Sequence, residues 1–460
     1  MEVKIKKKHI YEGVVDRVDY PNLGRVPVGD QLITVKNTIP GQTIKFVVNK
    51  FKKGKAEGRV LEVLKSSPYE TRESSCSIFP ACGGCMYQTM EYETQRRMKE
   101  EQVKRILDPV IPYDYMYKGI KASPSEFRYR NKMEFSFGDD QKDGPLTLGL
   151  HKKGSTYDVL TADDCALVHD DFTKILSAVL RYFTDNIDLS YTYYHKMSHE
   201  GFLRHLLLRR GDATGELLVN LVTSSQGDFE EETYVDMLLE LELEGTIVGI
   251  LHIINDSLSD VVKSDKTKLL YGRDYLTDRL YELSFKVTPF SFFQPNTKGA
   301  EVLYSLVQDY IGDTKQSIVY DLFSGTGTIA QVLAGVSKKV IGVEIVEEAV
   351  IAARENAKNN GLTNCEFHAG DVFQVLDEIT ELPDVIVLDP PRDGIHPKAL
   401  PKILAYGVDR IIYVSCKVTS LARDLEMFHE AGYRVVRVSG VDQFCQTVHV
   451  EVVAELVKYY

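Results

Sequence analysis

Several features that would place this chain in other protein classes are missing. No apolar run approaches the roughly 20 residues needed to cross a bilayer, so a membrane-spanning segment is not expected. The lysine-rich residues 1–9 are not followed by the apolar stretch of a signal peptide, which predicts a cytoplasmic protein. Only seven cysteines occur among 460 residues, and this does not indicate a secreted disulfide scaffold.

Charge is unevenly distributed along the sequence. The formal net charge of the chain is −12, which argues mildly against a nucleic-acid partner. Residues 1–65, however, contain 14 lysines and arginines against 7 acidic residues, whereas the remainder contains 41 against 60. A basic N-terminal module on an acidic body is consistent with nucleic-acid binding or with a solvated lysine-rich surface. Charge alone does not separate these two interpretations.

The length and the residue pattern predict more than one domain. We place the boundaries at 1–65, 66–284 and 285–460. The first region contains short β-branched runs separated by Gly, Pro and Asn, which predicts a small β-barrel. The second alternates strand and helix signals, which predicts an α+β region. In the third, strands alternate regularly with helices, which predicts a parallel, doubly wound α/β sheet.

Individual elements follow from the same patterns. Strands are predicted in the first two regions at 12–18, 31–35, 43–49, 58–64, 127–137, 203–210, 217–223 and 246–255. A basic loop is predicted at 50–55 and a helix at 92–107. In the third region the predicted strands are 317–323, 339–344, 365–368, 385–388 and 410–415.

A glycine-rich turn follows the buried strand predicted at 317–323. In Asp321-Leu-Phe-Ser-Gly-Thr-Gly-Thr328, the glycines let the backbone approach a ligand at the start of a helix. Glu344 ends the next strand, where a carboxylate can accept hydrogen bonds from ribose hydroxyls. Asp371 ends the third strand, where adenine can be recognised. This ordered set resembles class I S-adenosylmethionine methyltransferases.

A nicotinamide-binding Rossmann domain is the alternative for this turn. Its G-x-G-x-x-G spacing is absent, because no glycine stands three residues after Gly327.

Two residues near the C-terminus have side chains suited to covalent chemistry on a pyrimidine ring. A thiolate that adds to C6 of uracil makes C5 nucleophilic, and a base must then remove the C5 proton before the thiolate can leave. Cys416, at a predicted strand end, is the candidate nucleophile and Glu451 the candidate base. Taken alone, a cysteine at a strand end is more often a small buried apolar side chain, and the alternative interpretation of Glu451 is a surface carboxylate. Lys417 and Arg392 are candidates for lowering the thiol pKa or holding a phosphate.

Five ordered motifs resemble those of the RNA uracil-5 methyltransferase family, with the bacterial 23S ribosomal RNA members the nearest match. They are Phe290-Ser-Phe-Phe-Gln294-Pro-Asn296, Asp321–Gly327, Asp389-Pro-Pro-Arg392-Asp-Gly394, Ser415-Cys-Lys417 and His449-Val-Glu451. The resemblance spans nearly the whole chain, and residues 1–64 resemble a TRAM domain, an RNA-binding β-barrel.

The resemblance implies roles for particular residues. Cofactor contacts are implied for Gln294, Phe323, Glu344 and Asp389. The same resemblance implies Cys416 as nucleophile and Glu451 as base. The family often has Asn where Thr328 stands, so no cofactor contact is assigned to Thr328.

The expected fold is therefore a class I S-adenosylmethionine-dependent methyltransferase domain, of the α/β Rossmann-like class. An N-terminal TRAM β-barrel and a central α+β domain precede it. The expected cofactor is S-adenosylmethionine, and the expected partner is RNA, most specifically 23S ribosomal RNA with its uridine in a loop or unstacked. A monomer without membrane association is expected.

Four cysteines form a separate candidate site. Cys76, Cys82 and Cys85 are closely spaced, and Cys165 follows at a distance. Four thiolates suit either a [4Fe–4S] cluster or a tetrahedral zinc ion. Structural zinc usually draws on two paired knuckles, and Cys165 lacks a C-x2-C partner. The resemblance to the ribosomal RNA members implies a [4Fe–4S] cluster on these positions, with a structural or RNA-organising role because the proposed chemistry transfers no electrons.

Other functions stay open from the sequence. A cytosine-5 methyltransferase shares the covalent logic, although its RNA members look different around the nucleophile. A uracil-5 methyltransferase acting on tRNA is a second alternative. A non-catalytic RNA-binding or ribosome-assembly factor is a third, and the intact Cys416, Glu451 and cofactor residues argue against it.

Overall fold

The N-terminal residues form a mainly antiparallel sheet in the computed structural model, which describes residues 5–52, 54–185, 191–259 and 261–459. Its strands are β1 (Ile10–Val14), β2 (Arg17–Asp19), β3 (Leu23–Val28), β4 (Gln31–Lys36), β5 (Thr43–Lys52) and β6 (Lys55–Lys65). They pair in the order β1-β5-β6-β4-β3-β2. Alternate residues of one strand, such as Ile44, Phe46 and Val48 of β5, point into a shared core, as the two-residue period of a strand requires.

Two predictions in this region are wrong. The strand predicted at 12–18 is divided between β1 and β2, because the backbone changes partners there: Val15 N–H donates to the Gln42 carbonyl at 2.9 Å and Asp16 N–H to the Arg25 carbonyl at 2.8 Å. The loop predicted at 50–55 is mostly strand, since β5 continues to Lys52 and β6 begins at Lys55.

The central region combines a second sheet with flanking helices. Its elements are α1 (Tyr92–Leu107), β7 (Met116–Lys121), β8 (Lys132–Gly138), β9 (Thr147–His151), β10 (Val159–Thr161), α2 (Asp170–Thr184), β11 (Leu203–Arg210), β12 (Glu216–Thr223), α3 (Glu231–Leu239), β13 (Thr246–Ile254) and β14 (Lys266–Gly272). The sheet order is β10-β9-β8-β11-β12-β13-β14. Helix α2 buries Phe172, Leu176 and Val179 against this sheet, the spacing of one helical face.

The strand predicted at 127–137 is only partly confirmed, since β8 begins at Lys132. Arg128 has a positive φ of 55°, a conformation that interrupts a regular strand. The preceding residues instead follow the segment after Cys165: Arg128 N–H donates to the Ala166 carbonyl and Arg130 N–H to the Leu167 carbonyl, both at 2.9 Å. This pairing brings Arg130 close to Cys165.

The C-terminal region forms the predicted α/β sheet. A hairpin, β15 (Leu276–Leu280) and β16 (Leu283–Val287), precedes α4 (Thr297–Ile311), β17 (Thr314–Leu322), α5 (Thr328–Ala334), β18 (Ser337–Glu344), α6 (Glu347–Asn359), β19 (Cys365–Ala369), α7 (Val372–Val375), β20 (Val385–Leu388), α8 (Ala399–Ala405), β21 (Arg410–Ser415), α9 (Val418–Glu430), β22 (Tyr433–Val441) and β23 (Glu451–Lys458). The order is β19-β18-β17-β20-β21-β23-β22-β7, with β17 to β21 parallel and β23 antiparallel. The first five strands have the order of doubly wound sheets, which confirms the predicted fold class.

Two apolar layers cover this sheet. Tyr320 and Leu322 of β17 pack into one cluster, whereas Val319 packs into the other, because successive strand residues face opposite sides. No helix in the described part of the chain is both long and apolar enough to cross a membrane.

The regions are joined by pairing and by polar contacts. Strand β7, from the predicted central domain, pairs in parallel with β22, while the domain boundaries themselves stay a prediction. Helix α1 contacts the N-terminal sheet, since Gln102 donates to the Val18 carbonyl at 3.1 Å and Arg105 pairs with Asp19 at 2.7 Å.

Candidate active site

The residues predicted for catalysis and cofactor binding line one cavity of about 1340 Å³. They are Gln294, Phe323, Glu344, Asp371, Asp389, Cys416 and Glu451. Phe323, Asp389 and Cys416 directly follow β17, β20 and β21, and Glu344 ends β18. The cavity therefore lies at the carboxyl ends of the parallel strands, where open α/β sheets bind ligands.

The glycine-rich turn has a backbone that few side chains tolerate. Phe323, Gly325 and Gly327 have positive φ angles of 68°, 54° and 73°. A Cβ on Gly327 would lie 2.6 Å from the Phe367 ring, so glycine is required there for packing as well as conformation. Phe323 adopts the same left-handed region without being glycine, a conformation that costs energy and is enriched at functional sites.

Glu344 holds this turn in place. One of its carboxylate oxygens accepts a hydrogen bond from Gly325 N–H and the other from Val346 N–H, each at 2.9 Å. A carboxylate has about four acceptor positions, so two are left for ribose hydroxyls. The role predicted for Glu344 is therefore compatible with its structural one.

The other cofactor candidates differ in environment. Gln294 is buried, and its backbone carbonyl accepts a hydrogen bond from the Asn131 side chain at 2.9 Å. Asp371 is exposed and caps α7, since its Oδ1 accepts from Phe373 N–H at 2.8 Å. Burial raises the pKa of Asp389 to about 7, so this carboxyl is partly protonated at neutral pH. Thr328 also lines the cavity, and its hydroxyl lies 3.2 Å from that of Tyr304.

Cys416 and Glu451 are brought together by strand register. In the antiparallel β21/β23 pair, Ser415 lies opposite Val452. Cys416, which follows β21, and Glu451, the first residue of β23, therefore meet at the cavity. Burial, with the charge of Glu451, raises the pKa of Cys416 to about 11. Burial, with the charge of Asp389, raises the pKa of Glu451 to about 8. The site thus contains a nucleophile and a carboxylate that is a stronger base than usual.

Of the two cationic candidates, Arg392 and Lys417, only Arg392 lines the cavity that contains Cys416 and Glu451. Arg392 lines the cavity, and its charge opposes the rise in pKa of both Cys416 and Glu451. Lys417 instead precedes α9 and is not among the residues that line the cavity. His449 also lines it, and because burial lowers the pKa of His449 to about 4, this imidazole is neutral at neutral pH.

Helix α1 anchors the loop that leads to Glu451. Lys99 and Asp442 form a fully buried ion pair at 2.6 Å, and Lys99 also donates to the Phe444 carbonyl at 3.3 Å. Gln95 donates to the side chain of Gln446 at 2.8 Å. These contacts fix the loop from a helix that lies more than 300 residues away in sequence, so no local signal predicts them.

Two further sets of residues at the site were not assigned roles from the sequence. Tyr20, from the N-terminal sheet, is buried near the pair: burial, followed by the charges of Cys416 and Glu451, raises its pKa to about 12. Phe290 and Phe292 line the cavity yet are 43% and 60% exposed. The aromatic residues close to Gln294 in the sequence could have indicated a role for Phe290 and Phe292, whereas no sequence pattern pointed to Tyr20.

The four predicted metal ligands share a second cavity of about 530 Å³. Burial, with the charges of neighbouring cysteines, raises the pKa of Cys85 to about 12, and burial raises the pKa of Cys76 to about 11. Across the described ranges, no group of three or more His, Cys, Asp or Glu side chains is arranged to hold a metal ion. Cys76 Sγ instead donates to Asp164 at 3.7 Å. The four thiols line one cavity, but they are not arranged as ligands around one point.

Comparisons with known proteins identify related sequences and one related structure. Residues 91–458 match the family model described as tRNA (Uracil-5-)-methyltransferase. A Clostridium tetani protein described as an uncharacterized RNA methyltransferase is 46% identical over 452 residues, 98% of each chain. One from Caldanaerobacter subterraneus, described in the same way, is 45% identical over 444 residues, 96% of this chain and 98% of the other.

A solved structure is similar over almost the whole chain. It is the Pyrococcus abyssi tRNA (uracil-54, C5)-methyltransferase in complex with S-adenosyl-L-homocysteine. The TM-score is 0.76 at 25% identity, with 97% of this chain and 100% of that chain covered.

Proposed function

Because the chain belongs to the tRNA (uracil-5-)-methyltransferase family, whose members are S-adenosylmethionine-dependent RNA methyltransferases, we propose that it methylates carbon 5 of a uracil in RNA. The observation that carries the proposal is the adjacency of Cys416 and Glu451 in the cavity that the five cofactor candidates also line. A nucleophile and a base at one end of a cofactor cavity are what C5 methylation requires.

The proposed mechanism assigns one step to each residue. The Cys416 thiolate bonds to C6, and the electron pair of the C5–C6 double bond moves toward the C4 carbonyl, making C5 nucleophilic. When bound, S-adenosylmethionine supplies an electrophilic methyl group on a positively charged sulfur. After that methyl has moved to C5, with its bond to sulfur broken and neutral S-adenosylhomocysteine as the leaving group, Glu451 removes the C5 proton, the double bond forms again, and the thiolate leaves. Gln294, Phe323, Glu344, Asp371 and Asp389 hold the cofactor in this proposal.

The target uracil must be unstacked before Cys416 can reach C6. Phe290 and Phe292 are exposed aromatic rings at the same cavity, and bases stack on such rings in RNA-binding proteins. We propose that these two residues receive the unstacked nucleotide.

The proposed RNA is 23S ribosomal RNA, from the sequence resemblance. A tRNA substrate is the second candidate, favoured by the tRNA (uracil-54, C5)-methyltransferase that shares the fold. Unmodified transcripts of both RNAs, incubated with the protein and deuterium-labelled S-adenosylmethionine and then digested for mass spectrometry, separate the two. Labelled 5-methyluridine from the ribosomal transcript supports the first assignment, from tRNA alone the second, and label only on cytosine contradicts both. In the cell we expect a cytoplasmic monomer.

The N-terminal sheet is proposed to be a TRAM-type module that binds RNA phosphates. Deleting it would also remove Tyr20, which is buried near Cys416 and Glu451, so we choose substitutions of the exposed lysines Lys36, Lys55 and Lys65 by glutamine. The slope of log affinity against log salt should become shallower by roughly 0.7–0.9 for each lysine that contacts a phosphate, while S-adenosylhomocysteine affinity stays unchanged. An unchanged salt slope in filter-binding assays would contradict the assigned role.

The elevated pKa of Glu451 predicts a pH dependence. A base must be deprotonated, so loss of the C5 proton from the adduct should accelerate as pH rises and level off above about 8. Arg392 favours the charged forms of Cys416 and Glu451, so Arg392→Gln should raise both pKa values and move the inflection to higher pH. Rates of decay of the preformed adduct between pH 6 and 9 check this, because addition of the Cys416 thiolate is then already complete. A rate that does not change with pH in either protein would show that Glu451 is not the base in the rate-limiting proton transfer.

The cysteine cavity is proposed to hold a [4Fe–4S] cluster on Cys76, Cys82, Cys85 and Cys165. Four thiols around one cavity are the donor set of such a cluster, and binding would require their deprotonation and closure around the metal. The group would supply cross-links between the Cys76–Cys85 segment and the Cys165 segment. It has no step in the proposed methyl transfer.

Anaerobically purified protein is therefore expected to be brown and to contain about four irons per chain. Cys165→Ala should reduce the iron content and lower the thermal midpoint, because it removes the ligand from the distant segment. Cys445→Ala is the control, since this buried cysteine lines neither cavity. Stoichiometric zinc without iron in the anaerobic wild-type protein would contradict the cluster and would assign the site to zinc.

A further inference from the structure

The two cavities are separated by one stretch of chain, residues 290–295, which we call the dividing segment. Phe290, Ser291, Phe292 and Pro295 line both cavities, Phe293 lines only the cysteine cavity, and Gln294 lines only the catalytic cavity. The segment that presents a cofactor candidate to one side therefore forms the wall of the proposed metal site on the other.

On its catalytic side, the dividing segment is tied to the cofactor turn. The Thr326 hydroxyl donates to the Phe292 carbonyl at 3.0 Å, and the position of a Cβ on Gly325 would lie 3.9 Å from the Phe292 ring. Asn131 N–H donates to the Pro295 carbonyl at 2.8 Å. A shift of the dividing segment would therefore move both Gln294 and the glycine-rich turn.

On the cysteine side, Arg209 holds the start of this segment. Its guanidinium donates to the Thr288 carbonyl and to the Ser291 carbonyl, each at 2.6 Å. Arg209 is 3% exposed and lines the cysteine cavity. Burial lowers its pKa to about 10, so it is still a cation at neutral pH.

Protein groups balance the charge of Arg209 only in part: the charge of Glu134 favours the protonated guanidinium, but Glu134 forms its ion pair with Lys132. Within the ranges that the structure describes, no ion pair to Arg209 is formed, and its Nε–H has no hydrogen-bond partner. The same cavity is lined by Arg130 and Lys132, with Glu134 paired to Lys132 at 2.7 Å. A buried cation with an unused N–H beside four thiols matches an anionic occupant, and four thiolates carry more negative charge than a zinc ion or an iron–sulfur core neutralises.

We propose that Arg209 is a positioning residue that couples the cysteine cavity to cofactor binding. An anionic, thiolate-bound metal group fixes the Arg209 guanidinium, which in turn fixes the dividing segment and with it Gln294 and the cofactor turn. The inference rests on the proposed metal group and cofactor site, and it gives that group a function other than electron transfer. The coupling free energy is the difference between the interaction of Arg209 with the metal-loaded cavity and its interaction with the empty cavity.

The test measures S-adenosylhomocysteine affinity by calorimetry in loaded and metal-stripped protein. Stripping the wild type should weaken binding on the order of 10- to 100-fold, comparable to the effect on metal affinity or activity of losing a residue that supports a metal site. Arg209→Met should bind weakly in both states and respond little to stripping. Arg209→Lys, which keeps the cation, should recover part of the affinity.

Arg204→Met is the matched control. Arg204 lies on the same strand, is 4% exposed, and also donates to backbone carbonyls, those of Asn255, Ser257 and Ser259, but lines neither cavity. It should lower the thermal midpoint while keeping the wild-type affinity and the wild-type response to stripping. Because stripping can unfold the protein, loaded Arg209→Met is also compared with loaded Arg204→Met, and equal affinities would overturn the coupling without any stripped sample.

Three results would overturn the coupling. These are equal S-adenosylhomocysteine affinity in the two loaded variants, a folded stripped wild type with unchanged affinity, and a wild type that never contains metal. The last result would also contradict the proposed cluster. It would not bear on the proposed uracil methylation, which is measured in a separate assay.

Discussion

Replacing Cys416 with alanine is expected to abolish methylation and every covalent protein–RNA adduct. Addition of the thiolate to C6 is the first chemical step, and C5 does not become nucleophilic without it. The rate should fall by roughly 10⁴-fold or more, the scale observed when a covalent nucleophile is removed. Cofactor affinity should change little, because the five cofactor candidates are untouched. Denaturing gels and labelled methyl transfer measure the two effects.

Cys365→Ala is the matched control for this variant. Cys365 is also a half-buried cysteine of the same sheet, and burial likewise raises its pKa to about 12, but it does not line the cavity. It should retain activity and form adducts normally. Methylation by Cys416→Ala at the wild-type rate would show that the reaction proceeds without a covalent intermediate at this residue.

Replacing Glu451 with glutamine is expected to stop the reaction one step later. Methyl transfer can still occur, but the methylated ring stays bonded to Cys416 because the C5 proton is not removed. The charge of Glu451 raises the pKa of Cys416, so its removal favours the thiolate and does not prevent addition. A slow-migrating protein–RNA band should accumulate, while multiple turnover falls by about 10²–10⁴-fold.

Glu455→Gln controls for the loss of a buried carboxylate on the same strand. Glu455 is 5% exposed and pairs with Arg410 and Arg437, away from the cavity. Its substitution should reduce stability without trapping RNA. Normal turnover by Glu451→Gln would assign the proton transfer to another group.

Local sequence patterns predicted the parts of the site that a single turn or strand end determines. The glycine-rich turn is one such part, since Gly327 is required by its own φ angle and by the nearby Phe367 ring. Glu344 is another, because the end of a parallel strand fixes which edge its carboxylate reaches.

Features that depend on long-range pairing were not predicted. Cys416 and Glu451 were assigned to one site from the chemistry and the family resemblance, whereas the register of β21 with β23 that makes them adjacent is not specified by residue pattern. The same limit applies to β7, which joins a sheet formed mainly by residues far along the chain, and to the buried Lys99–Asp442 pair. The strand predicted at 12–18 failed because hydrogen-bond partners change at Val15 and Asp16 while its β-branched residues continue.

The proposed reaction is tested most directly by tritium release from RNA labelled at C5. Methylation at C5 must expel the hydrogen of that carbon, whereas methylation at any other atom leaves it in place. With [5-³H]uridine-labelled RNA and S-adenosylmethionine, we predict one tritium released for each methyl transferred, and none from [5-³H]cytidine-labelled RNA. Methyl transfer without tritium release, or release from cytidine alone, would contradict the assignment of this protein as an RNA uracil-5 methyltransferase.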